Sequence, residues 1–139
     1  MIVQGQTTIF KQNLLSGLEN FATGTTQVYK IALYTANADL NAATLVYTTL
    51  NEVTGEGYTA GGEVLTPIVP ASSGSTAYVS FDNVSWFAAN FLCRGALIYN
   101  GTTNAAVAVL DFGSDKTASN TFTITFPTTT ATTAVIRLS

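Results

Sequence analysis

The chain has 139 residues, of which 47% are apolar and 9% charged, with five basic residues, eight acidic ones and no histidine. That length and apolar content specify one folded domain, residues 1–139, and exclude disorder. A net charge of -3 with the cations scattered excludes the clustered basic stripe that nucleic acid or an anionic membrane surface needs. Without histidine or a marked carboxylate pair the chain lacks the commonest catalytic groups, so it is expected not to be an enzyme and to need no cofactor. Apolar runs such as Ala105–Leu110 are too short to span a bilayer. Met1–Gln6 has neither the basic nor the apolar stretch of a signal peptide, and the expectation is synthesis in a cytoplasm without Sec export. Cys93, the single cysteine, reads as a small buried hydrophobe.

In chain order, one helix is predicted at about 8–20. Phe10, Leu14, Leu18 and Phe21 recur at helical spacing, Thr7 or Thr8 caps the start, and Gly17 on the apolar side is expected to admit a close neighbour. The remainder, about 27–139, reads as strands and turns. Tyr29–Tyr34 alternates, Leu45–Leu50 is a weaker extended segment, and Asn51–Gly62 holds enough glycine to demand tight turns or bulges. Glu63–Ile68 is extended, Ala71–Ser75 a loop, and Ala77–Phe81 and Val84–Phe87 are strands. Phe91–Tyr99 and Ala105–Phe112 form a hairpin across Asn100-Gly101, whose residues tolerate positive φ. A loop over Gly113–Asn120 precedes the strands Phe122–Phe126 and Ala134–Leu138. Eight to ten short strands with one short amphipathic helix predict a mainly all-β fold, a jelly-roll-like β-sandwich or barrel.

The motifs that could carry chemistry have plainer structural readings. Gly55–Gly61 resembles a phosphate loop but opens no helix, and Asp111-Phe112-Gly113 matches a kinase triplet without its partners. Asp82, Asp111 and Asp115 offer oxygen ligands without a calcium-loop spacing, so no metal is expected. Arg94 lies within the apolar run Phe91–Tyr99. Facing inward it requires a carboxylate, Asp111 or Asp82; facing outward it is an intersubunit contact. Trp86 with the tyrosines is expected to pack in a core or interface, and would need to be exposed to form a sugar platform.

Phe10–Gly17, Tyr29–Ala36, Asn51–Gly62, Arg94–Asn100 and Val107–Gly113, taken in order, resemble a family of small head-associated or decoration (cement) structural proteins of tailed double-stranded DNA bacteriophages. The resemblance covers most of the chain and brings no catalytic motif. It implies a virion structural protein on the capsid exterior, made in the host cytoplasm, with the major capsid protein and copies of itself as partners, in a trimer ahead of a dimer. The alternative is a tail-tip, neck or fibre component, including a module that binds host-surface carbohydrate. The expected contact surfaces are the helix Thr8–Asn20, the glycine loop Gly55–Gly62 and threonine-rich strands. Arg94, Trp86, Tyr58, Gly57 and Asp111 are the candidate interface or structural residues.

Overall fold

The computed structural model describes residues 1–139. The elements are β1 (Gly5–Gln6), α1 (Thr8–Leu15), β2 (Tyr29–Tyr34), β3 (Glu63–Leu65), β4 (Ala71–Ser73), β5 (Thr76–Val79), β6 (Val84–Asn100), β7 (Ala106–Ile124) and β8 (Ile136–Leu138). They form a five-stranded antiparallel sheet in the order β1-β7-β6-β2-β3 and a three-stranded antiparallel sheet in the order β4-β5-β8. The fold is therefore all-β with a single short helix.

Thr7 starts α1 and ties it to the large sheet. Its extended backbone and side-chain oxygen cap the Phe10 N–H at 3.2 Å, while its hydroxyl donates to the Ala106 carbonyl at 3.0 Å. The helix then stops five residues earlier than the predicted Asn20. Gly17, at φ 72°, takes the left-handed position after Ser16; its N–H bonds the Leu14 carbonyl and the Leu18 N–H bonds the Asn13 carbonyl. That paired closure ends a helix, and Gly17 serves it instead of admitting a neighbour, since nothing lies near its would-be Cβ. Leu18 consequently turns out to solvent, and Phe21 reaches the core from the following turn, stacked on Tyr29 at 4.3 Å.

β6 and β7 overturn the expectation of short strands. They run for 17 and 19 residues where five or six are usual, joining segments read as separate. The predicted loop Gly113–Asn120 belongs to β7, with Lys116–Asn120 paired to Ala89–Cys93. Polar composition misled here because that stretch is stabilised by its ladder and by burial of Ala118 alone. Irregularities bend the hairpin: Phe112–Asp115 together oppose Arg94, and Phe87 and Ala88 oppose Thr121. Thr102 and Thr103 lie in the turn between the strands, but positive φ falls on Asn104, not on Asn100 or Gly101. Ala71–Ser73 is strand instead of loop, and Leu45–Leu50 contributes only the Val46–Ala105 bridge.

Two apolar clusters flank the large sheet. The larger joins Phe10, Ile31, Trp86, Phe91, Ile98 and Val107 to Val79, Phe81 and Ile136, so both sheets share it. The smaller buries Tyr34, Leu97 and Val109 beneath Ile2, Ala38 and Leu40 on the opposite face.

Candidate functional site

The glycine-rich segment is an excursion from one sheet edge. Val53 donates to the Leu33 carbonyl, and Glu63–Leu65 rejoins β2 opposite Tyr29–Ile31. Between them the chain reaches across to β6, where Asn90 donates to the Glu56 carbonyl at 2.9 Å. Gly57 lies against the Phe87–Ala89 backbone, where a Cβ would fall 2.7 Å from main-chain atoms. Gly62 is tighter still, with the Ile31 carbonyl oxygen 1.8 Å from the position a Cβ would take.

Glu52 anchors this excursion. Its buried carboxylate accepts the Tyr58 hydroxyl at 2.6 Å and the Gly61 N–H at 2.7 Å on Oε1, and the Tyr47 hydroxyl at 2.6 Å on Oε2. Tyr58 also accepts the Leu33 N–H at 2.9 Å, and Tyr99 donates to the Gly61 carbonyl at 2.7 Å. Burial, with the nearby negative charge of Glu52, pushes the Tyr99 hydroxyl up to about 12 and raises those of Tyr34, Tyr47 and Tyr58 as well. A second buried carboxylate, Glu19, accepts from Tyr29 at 2.8 Å and from Asn100 Nδ2 at 3.0 Å, and its Oε1 has no partner. Both clusters hold loops to strands. The sequence reading missed them, although Tyr47 and Tyr58 flank Glu52 closely enough to have suggested a shared contact.

The five singled-out residues fall into two groups. Gly57, Tyr58 and Trp86 come together: the Tyr58 ring stacks on Trp86 at 6.3 Å and meets Phe91 edge-on at 5.8 Å. Trp86 is 1% exposed, with its indole N–H unpartnered, so no sugar platform forms on it. Arg94 and Asp111 form the other group. The Arg94 Nε donates to Asp111 Oδ1 at 3.1 Å, and both side chains are partly exposed. The Gly113 N–H, then Arg94, hold the Asp111 carboxyl below the usual carboxylate range. Asp82 takes no part, and the three aspartates form no ligand cluster. Cys93 is buried, and its thiol is pushed up to about 12 by that burial.

Three features of the surface remain. Large apolar side chains face solvent, among them Leu15 at 92%, Leu50 at 72% and Phe87 at 70% exposure, and also Leu45, Val46 and Leu92. The outer edge of β7 beyond Asp111 is also open. A concavity of about 470 Å³ lies between the β1–β7 pair and the C-terminal segment and is lined by Gln4, Leu110, Phe112, Phe126 and Arg137 among others.

These features define a two-sheet β protein whose exposed chemistry is apolar side chains and strand backbone. No family model, curated protein or solved structure matched the chain.

Proposed function

We propose that this chain is a non-enzymatic structural protein of a bacteriophage virion, a decoration protein that binds the outer capsid shell and bridges neighbouring capsomers. The observation that carries this reading is the exposure of Leu15, Leu50 and Phe87 on a chain with 9% charged residues. Scattered apolar residues are ordinary on any protein, but a free domain also keeps a well-charged surface around them, and this one does not. Such a surface suits a protein covered by neighbours. The segment resemblance to phage head-associated proteins supplies the setting. Bridging capsomers requires area and symmetry, and modest binding by each copy suffices because many linked contacts act together.

Cryo-electron microscopy of the virion tests this reading. Copies in the hundreds on the icosahedral shell are the expected result. A handful at the tail or neck would overturn the decoration role in favour of a tail or fibre component.

A further inference from the structure

We infer that the outer edge of β7 from Lys116 to Thr123 is a self-docking strand, pairing antiparallel with the same edge of a second copy of this chain to give a twofold dimer. The inference concerns the chain with itself and goes beyond the virion reading without depending on it.

The edge is open. In the sheet order β7 has β1 on its outer side, but β1 covers only Ala108 and Val109. The Asp111 N–H is taken by the Gln4 side chain at 3.1 Å, and past that point no backbone hydrogen bond reaches β7 from outside. The direction of the free groups follows from β6. The Asn90 N–H bonds Glu56 and so points away from β7, and Asn90 directly opposes Ser119. In an antiparallel ladder such a pair is the non-hydrogen-bonded kind, so the N–H and carbonyl of Ser119 both point outward. Alternation places those of Thr117 likewise, while Lys116 and Ala118 turn theirs to β6. Thr117 and Ser119 are exposed.

This edge also differs from every other edge in the molecule. β1 has two residues and β3, β4 and β8 three each, Pro67 follows β3 and Pro70 precedes β4, and the edge of β6 that β2 leaves uncovered is crossed by the glycine excursion at Phe87–Phe91. Shortness and proline are the usual protections against unwanted strand pairing. Lys116–Thr123 has no proline, its one charge is Lys116 at the end, and its irregularity, Asn120 at φ 83° beside the Thr121 bulge, comes after the regular run Lys116–Ser119. A second copy therefore offers one edge of matching length, the same stretch of β7. Identical edges related by a dyad are self-complementary and close at two copies, so this geometry gives a dimer where the sequence favours a trimer.

The energetics suit a stable pair. With the dyad at Ser119, the outward groups of Thr117, Ser119 and Thr121 in each chain exchange about six backbone hydrogen bonds, at the low end of the range of about ten, give or take five, found in specific interfaces. Both edges are already built, so little ordering opposes association. A dyad near Ala118–Ser119 sets threonines and serines across from one another. It also leaves the two Lys116 ammonium groups roughly 13–20 Å apart, beyond a Debye length at physiological salt.

The test uses the purified full chain at about 50 µM, because pairing is concentration-dependent. Light scattering should give twice the 14.6 kDa chain mass, with slow amide exchange at Thr117 and Ser119. Ser119→Pro removes an outward donor without touching the β6 ladder. A second variant, Thr117→Lys with Ser119→Lys, keeps the backbone intact and sets like charges across the dyad. Each, still folded by circular dichroism, should lose at least about tenfold in dimer affinity, and the lysine variant should recover part of it at about 1 M salt. A monomeric wild type with freely exchanging Thr117 and Ser119 amides would overturn the inference. So would a dimer that survives both variants, or an edge filled only by a strand of the shell protein. Finding the chain away from the shell in the virion would sink the decoration role and leave the dimer standing.

Discussion

Glu52 is a buried carboxylate, and three donors make that position tenable. Removing the acceptor strands all three, and a buried unpaired donor costs about 1–3 kcal/mol. Glu52→Ala is therefore expected to lower unfolding free energy by about 2–4 kcal/mol in urea titration, with Glu52→Gln, which keeps one acceptor, costing less than half of that. An equal loss in both variants would mean that packing, not hydrogen bonding, sets the role of Glu52. At this scale the sequence was only partly legible. An inward-facing Arg94 was expected to need Asp111 or Asp82, an outward one to serve an intersubunit contact, and the structure pairs it with Asp111 while leaving both side chains partly exposed. Burial of Glu19 left no sign, and that of Glu52 only the flanking Tyr47 and Tyr58, because a carboxylate held by tyrosine hydroxyls leaves no opposite charge to look for.

The glycine excursion and the helix owe their form to particular backbone positions. Gly62 has a φ of 75° with a carbonyl occupying its Cβ position, whereas Gly74 has a φ of 59° and open space. Gly62→Ala should lower the melting temperature by well over 10 °C, and Gly74→Ala by only a few degrees from left-handed strain of about 1 kcal/mol. Comparable losses would mean that Gly62 is not a close-approach site. Thr7→Ala removes both a cap and a buried hydroxyl bond, with an expected loss of about 1–2 kcal/mol by urea titration. The element boundaries explain where periodicity fails. Leu18 continues a helical spacing through a helix that Gly17 has already ended. Thr117 and Ser119 carry no apolar alternation because one face of that strand is open to water, so the stretch resembles a loop.

Across the whole molecule, pH response follows from which groups titrate. No histidine is present, so no side chain here titrates in its ordinary range between pH 8 and 6, and on the proposed decoration role a loss of binding in that window is expected to originate mainly in the partner protein. The lowered carboxyl of Asp111 favours the folded state above its unfolded value, a contribution that fades as pH falls below about 4. The raised groups act oppositely. Tyr99 and Cys93, both held up to about 12, contribute fully below their unfolded values, and that contribution is lost as pH rises toward 12. Melting temperature should therefore be flat from pH 6 to 8 and fall steeply above about pH 10; a steep change near pH 6.5 would contradict this account. The all-β class was legible from composition and alternation. The division into five strands and three was not, since it depends on which distant segments meet. One such meeting joins the last strand to the small sheet: Ile136 pairs with Val79 and buries itself in the shared core. During synthesis, β5 thus waits for Ile136–Leu138 to be made. Until they arrive, the apolar inner face of the β6–β7 hairpin has only part of its cover, so this core closes only after β8 has emerged and not alongside the hairpin.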